Sequence, residues 1–352
     1  MEVKPSNNNF KSVISVPGKA LLFGEYGVMQ GGSAVAVSLP QYRMDVEFSF
    51  MRSEGEIKHS LESDYFPQPV TILHDQIAMH LNSNQDSEER NLACYLSSYV
   101  NKLDRCCVQA EVTRSFSPSL GFGSSSALLS AFGIALYQRW SVKSAEEILE
   151  DKTFWQNLFD SLVMLQRRGS GYDIALQSWC SIRETAQCKS GAFAFRNVAY
   201  EPRCTPQQFE PLISRLQIPE EEYQSLGCFV ETGVRSETRI VLRDMENKYG
   251  ISDFCEKQSA IASLFIENPC LKTAQTLCRE ASDLSKAMGL LPTNLKLNHF
   301  VNECDKYGIS WKTMGAGFGD CLWVLAERSC IESLAKRIDA SELKVRFAFE
   351  DC

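Results

Sequence analysis

The chain has 352 residues and a formal net charge of −8, with 44% hydrophobic, 23% charged and 10% aromatic residues. That length exceeds one ordinary core and fits two packed lobes. The absence of any basic block argues against a nucleic-acid partner. Apolar runs such as Ala131 to Tyr137 fall far short of the roughly 20 residues a membrane span needs, so no membrane partner is expected.

The first ten residues, MEVKPSNNNF, are polar and lack the apolar stretch of a secretion signal, which makes a cytoplasmic location the expectation. Fourteen cysteines without a CxxC pair read as reduced thiols in the core. An acidic protein that binds a polyanion must concentrate positive potential locally, through backbone amides and a few placed cations.

In chain order, residues 12–16, 34–39 and 44–50 are rich in β-branched and aromatic residues and predict strands. Residues 70–81 and 91–103 predict amphipathic helices, 108–114 a strand, and a long apolar helix begins near Ser125. A helix over 144–167 is followed by RRGSGYDIALQSW, then by strands at 192–200 and 227–232. A helix-rich stretch from about 236 to 306 is broken at Pro269 and Pro292. The end reads strand (Ser310 to Thr313), glycine loop (Gly315 to Gly319), strand (Cys321 to Ala326), helix (Cys330 to Asp339) and strand (Lys344 to Phe349). The softest place for a lobe boundary is 183–225, where proline and charge accumulate.

Four segments carry chemistry. Gly121-Phe122-Gly123-Ser124-Ser125-Ser126-Ala127 runs into an apolar helix. Its glycines permit close backbone approach, and the helix N-terminus makes an anion site, with three hydroxyls for phosphate or magnesium. Alone, it reads equally well as a serine N-cap after a flexible turn. Pro17-Gly18-Lys19 follows a strand and leads to Phe23-Gly24-Glu25-Tyr26-Gly27-Val28. A lysine pinned there offers a point charge to a transferring phosphoryl group, although most lysines are simply solvated. Gly315-Ala316-Gly317-Phe318-Gly319 lies between two strands and permits tight turns, or forms a hairpin with a bulge. Gly169-Ser170-Gly171-Tyr172-Asp173 presents a carboxylate that can take a proton from a substrate hydroxyl, or cap a helix.

Together these segments are specific. PGKALLFGEYGV, GFGSSSA and KTMGAGFGDC resemble the three motifs of the GHMP kinases, and GSGYD resembles the segment carrying their catalytic aspartate. The resemblance extends from about residue 14 to 326, and ETGVRSET at 231–238 is similar to the Thr-Gly loop of mevalonate-pathway members. It implies an α+β fold with an N-terminal lobe like ribosomal protein S5 domain 2, expected over 1–200, and a ferredoxin-like C-terminal lobe over 201–352. It also implies ATP and Mg²⁺ as cofactors, with phosphates on the loop from Gly121 to Ala127 and Ser125 as the magnesium ligand. Lys19 and Asp173 match the catalytic pair.

Substrate contacts are expected from Lys19, Glu25, Tyr26, Gly315, Ala316 and Gly317. Arg167 and Arg168 lie beside the aspartate segment and suit a second phosphate on the substrate. Tyr26, GSGYD and Asp320-Cys321 favour phosphomevalonate kinases over mevalonate kinases. A decarboxylase-like lyase and a catalytically silent ligand sensor remain as alternatives on the same scaffold; Lys19 and the GSGYD segment weigh against the first, and intact Lys19, Ser125 and Asp173 against the second. The partner expected is a small mevalonate-type acceptor, and a homodimer is left open.

Overall fold

A computed structural model describes residues 10–83, 85–141, 143–167, 169–183, 191–199, 208–231, 250–290, 295–314, 321–337 and 344–347. Strand β1 (Phe10–Phe23) and strand β2 (Ala34–Arg52) form a long antiparallel pair around a 3-10 turn at Gly27–Gln30. The two stretches expected as separate strands, 34–39 and 44–50, are one strand. Its register with β1 shifts where Pro17 and Gly18 meet Arg43 and Leu39. A bulge of this kind accommodates a proline without forfeiting a central ladder bond.

Strands β3 (Lys58–Glu62) and β4 (Val70–Leu73) follow, then helices α1 (Ile77–Asn82) and α2 (Glu88–Leu96) and strand β5 (Cys106–Arg114). The helix expected over 70–81 therefore begins only at Ile77. Val70, Thr71 and Ile72 are β-branched and pair with β3 instead. Likewise the helix expected to reach 103 gives way to a 3-10 turn at Ser97–Lys102.

Helix α3 (Ser124–Trp140) is apolar on nearly every side and is accordingly buried along most of its length. The helix expected over 144–167 is two helices, α4 (Ala145–Leu149) and α5 (Lys152–Gln166). Asp151 separates them, because its carboxylate accepts the Thr153 N–H and starts α5 anew. Helix α6 (Tyr172–Arg183) and strands β6 (Gly191–Asn197) and β7 (Pro211–Arg215) complete the first half. The second half contains α7 (Tyr223–Leu226), β8 (Cys228–Glu231), α8 (Ile251–Glu267), α9 (Leu271–Ala287) and α10 (Leu295–Lys306). It ends with β9 (Ser310–Thr313), β10 (Cys321–Leu325), α11 (Arg328–Arg337) and β11 (Val345–Phe347).

The seven-stranded sheet has the order β4-β3-β5-β2-β6-β7, with β1 paired to β2. Its one parallel contact joins β3 to β5. The four-stranded sheet, β11-β8-β10-β9, is antiparallel throughout. The chain passes from the larger sheet to the smaller between Arg215 and Cys228, so the larger sheet extends past residue 200. This arrangement is of the α+β class expected from the sequence.

Alternation in the smaller sheet divides its residues between two cores. Cys228, Val230, Leu322 and Val324 pack with Phe300 and Leu334 on one face. Phe229, Cys321 and Trp323 face the larger sheet and join its core. Across that second face the register aligns Arg346, Phe229, Trp323 and Lys312 in one row. Trp323 meets Phe23 at a centroid distance of 5.2 Å and Phe229 meets Phe122 at 5.6 Å, so this row rests on the first two motifs.

Candidate active site

The loop 121–123 leads into α3 with Gly123 as the N-cap residue, at φ 78° and with no side-chain cap. A Cβ at Gly123 would lie 2.7 Å from Lys19 Cε, so the left-handed backbone and the nearby lysine both require glycine. The first bond of the helix runs from the Ala127 N–H to the Gly123 carbonyl, 2.9 Å. The N–H groups of Ser124, Ser125 and Ser126 precede it at the positive end of a 17-residue helix.

The serine-cap alternative does not survive, since the cap position belongs to Gly123 and Ser125 sits within the first turn. The Ser125 side chain is exposed. The Ser126 hydroxyl turns back to the Gly123 carbonyl at 3.0 Å. Phe122 and Ala127 are fully buried. Phe122 is wedged between Tyr42, at 4.9 Å, and Phe229. It anchors the loop by its ring, and its carbonyl accepts the Lys19 N–H at 2.9 Å.

That bond fastens β1 to the glycine loop and fixes where Lys19 begins. Its side chain is buried at 8% exposure and ends on the Tyr172 hydroxyl, 2.8 Å away. Tyr172 opens α6 and Asp173 follows it. Burial raises the Tyr172 pKa while the Lys19 ammonium opposes the rise, so the phenol stays protonated and accepts from the lysine. Asp173 is partly exposed in the first turn of α6, and its Oδ1 accepts the Ile174 N–H at 3.0 Å. A carboxylate there is favoured by the helix dipole. Lys19, the start of α3 and the start of α6 are thereby brought to one place.

Glu25 and Tyr26 are placed differently. The Glu25 carboxylate pairs with the Lys312 ammonium of β9, and both are buried. Burial pushes the Glu25 pKa up and the Lys312 charge pulls it back. Glu25 Oε2 is buried with no hydrogen-bond partner among the described residues. Tyr26 adopts φ 61° and packs its ring on Phe254 at 5.5 Å, inside a cluster with Cys255 and Leu290. Its place is in the packing under the first loop.

Arg167 closes α5 in the left-handed conformation, φ 63°, with an exposed side chain. Such strain in a non-glycine residue is a feature of functional loops. Arg168, Gly315, Ala316, Gly317 and residues 232–238 lie outside the described residues. Glu231, at the start of that last loop, pairs with Arg346 at 2.6 Å.

Two further side chains join these segments. Gln177, one turn after Asp173 on α6, donates to the Pro17 carbonyl at 2.9 Å and the Gly123 carbonyl at 3.1 Å. The Cys321 thiol donates to the Leu120 carbonyl at 3.3 Å and ties β10 to the glycine loop. A polar residue four positions after Asp173, within an apolar run, was the available signal for Gln177. Lys312 opens the third motif, but nothing in the sequence pointed to its pairing with Glu25.

Among the described residues no group of three or more His, Cys, Asp or Glu is arranged to hold a metal. Mg²⁺ bound through nucleotide phosphates needs few protein ligands, and the exposed Ser125 hydroxyl fits that need. No described helix is long and apolar enough to cross a membrane.

No protein-family model and no curated protein sequence matches the chain. Solved structures do. Mevalonate kinase from Methanococcus jannaschii aligns with a TM-score of 0.65 at 16% identity, over 96% of this chain and 97% of that one. Streptococcus pneumoniae phosphomevalonate kinase, in complex with phosphomevalonate and AMPPNP, gives 0.63 at 14%, over 96% and 99%. Mevalonate diphosphate decarboxylase from Enterococcus faecalis gives 0.58 at 12%, over 97% and 98%.

Proposed function

We propose that the protein is an ATP-dependent small-molecule kinase whose acceptor is of the mevalonate type, phosphomevalonate first. The observation that carries this reading is the meeting of Lys19 with the N-termini of α3 and α6, where it touches Tyr172 beside Asp173. The loop and first turn of α3 would hold the nucleotide phosphates. Mg²⁺, held with those phosphates near Ser125, would neutralise charge on the transferring group.

In the transfer, an acceptor oxygen forms a bond to the γ-phosphorus as the bond to the bridging β,γ-oxygen breaks, and ADP leaves. Lys19 offers positive charge beside the phosphoryl group. For an alcohol acceptor, Asp173 takes the hydroxyl proton as the new bond forms. A phosphate monoester is largely ionised at neutral pH, and it asks Asp173 for little proton transfer. Arg167, exposed beside the aspartate segment, supports the phosphorylated acceptor. Asp173 itself favours a second reading, mevalonate, because only an alcohol acceptor needs its base.

One experiment separates these readings: ADP release by the purified protein with phosphomevalonate, mevalonate and galactose in parallel, with CO₂ measured alongside. ADP with phosphomevalonate and no CO₂ is expected. CO₂ release in a fourth reaction, with diphosphomevalonate, would make the protein a lyase, and no turnover with any of the four would make it a sensor. Asp173→Asn adds a second criterion. It lowers kcat by about 10²–10⁴ with an alcohol acceptor, far less with a phosphate acceptor, and leaves the KM for ATP nearly unchanged. Loss of ATP binding in proportion to kcat would place Asp173 in the nucleotide site instead.

A further inference from the structure

Gln177 is completely buried in the face of α6 that packs on β1 and α3. Its amide nitrogen serves strand β1 and the glycine loop at once, donating to the Pro17 carbonyl at 2.9 Å and to the Gly123 carbonyl at 3.1 Å. Two carbonyl acceptors require the NH₂ group on that side, which fixes the orientation of the amide. Its Oε1 is then left buried without a hydrogen-bond partner among the described residues. A core glutamine that served only to fill space would be replaced at no loss by a methionine, and would leave no acceptor stranded.

The Gly123 carbonyl is the focus of an unusual convergence. It accepts the Ala127 N–H at 2.9 Å, the Ser126 hydroxyl at 3.0 Å and the Gln177 amide at 3.1 Å. The preceding carbonyl, of Phe122, is held by the Lys19 N–H at 2.9 Å. In a planar trans peptide the C=O and N–H point in opposite directions. Each carbonyl drawn inward therefore turns the N–H of the same plane, of Gly123 and of Ser124, toward the open side of the loop. Gly123 has no side chain to hold this geometry and adopts φ 78°, so the restraint comes from two donors of its own first turn, Ala127 and Ser126, and from one on another element, Gln177.

We infer that Gln177 is a positioning residue for the phosphate site: from the helix that carries Asp173 it holds the Gly123 carbonyl back and so aims the Ser124 N–H at the nucleotide. The inference rests on the kinase reading above, which puts phosphate at the start of α3. It adds that the base-bearing helix and the phosphate loop are set by one side chain, so their relative placement exists before any ligand arrives.

The test uses the full-length protein and inorganic tripolyphosphate, which can occupy a phosphate loop without an acceptor. In the wild-type protein, titration with tripolyphosphate is expected to shift the ¹⁵N–¹H signal of Ser124. Gln177→Met keeps the volume and removes both bonds. It is expected to weaken tripolyphosphate binding and raise the KM for ATP by about tenfold, with the KM for the acceptor within about twofold. Gln177→Glu places an oxygen against two carbonyls and is expected to weaken nucleotide binding further. A Ser124 signal that ignores tripolyphosphate while the wild type binds it would overturn the inference. So would a folded Met variant that binds tripolyphosphate as tightly as wild type, whatever its melting temperature. A wild-type protein that binds neither ATP nor tripolyphosphate would remove the kinase reading itself, a result distinct from both.

Discussion

A single carboxylate and a single ammonium, Glu25 and Lys312, meet where water cannot reach either. Their mutual attraction offsets the loss of hydration only while both are present. Glu25→Gln or Lys312→Met alone is expected to destabilise the protein by about 3–5 kcal/mol in urea denaturation, whereas Glu25→Leu with Lys312→Met recovers most of that loss. Additive losses in the double variant would mean that the pair is not coupled. At Gly123 the expected effect is steric. An alanine there meets Lys19 Cε at 2.7 Å and must hold a left-handed φ. Gly123→Ala is expected to cost about 1–2 kcal/mol of stability and to lower kcat by moving the lysine off Tyr172; unchanged kcat in the folded variant would refute it. The Ser125 hydroxyl is exposed in the first turn of α3, so Ser125→Ala is expected to shift the magnesium dependence of turnover and leave the melting temperature within about a degree. A wild-type magnesium titration in that variant would leave Ser125 no role with the metal.

Among the elements, the β3–β4 edge holds a histidine that the protein cannot protonate cheaply. His59 is fully buried, and its Nδ1 accepts the Val108 N–H at 3.2 Å. Its Nε2 therefore carries the proton and faces His74 Nδ1 at 3.3 Å. Burial, with His74 close by, lowers the His59 pKa to about 4. In the unfolded chain it returns to about 6.5, so between those values the unfolded state binds more protons. The stability His59 contributes is complete above about pH 6.5 and is lost as pH falls through about 4, a change of about 3 kcal/mol. Denaturation at pH 7 and pH 4.5 checks this, with His59→Asn as control. The asparagine keeps an acceptor near Val108, and its stability is expected to vary less with pH than that of wild type. Equal slopes would contradict the assignment.

This edge also shows what the sequence could and could not reveal. Periodicity located α3, β5 and the strand bearing Cys321, because each has a run with one clear period; it ended the first strand at 16, whereas β1 continues through Pro17, Gly18 and Lys19 to Phe23. It misread Val70 to Leu73, where β-branched residues followed by a short helix imitate one amphipathic helix. Lys19, Asp173 and the loop from Gly121 to Ala127 were legible as motifs. Gln177 was not, because its partners are backbone carbonyls distant in sequence, and although Lys312 opens the third motif, its pairing with a carboxylate 287 residues away was not legible.

For the whole molecule, the two sheets share one apolar core, in which Phe229, Trp323 and Leu325 of the smaller sheet pack with residues of the larger. Heat unfolding is therefore expected to be one transition, with the near-ultraviolet signal of the five tryptophans, which lie in both halves, and the far-ultraviolet helix signal falling together. Separate midpoints would show that the halves are independent. Mg·ATP at a hundred times its Kd is expected to add about 2.7 kcal/mol to the stability and to move that single midpoint upward. The Glu25–Lys312 contact also ties synthesis to function, because its partners lie 287 residues apart in the chain. At about 5–20 residues per second, roughly 15–60 s separate the emergence of the two charges from a ribosome. Throughout that interval Glu25 lacks its Lys312 partner, and the nascent first lobe must keep its carboxylate hydrated, so the loop beside Lys19 closes only after Lys312 has been made.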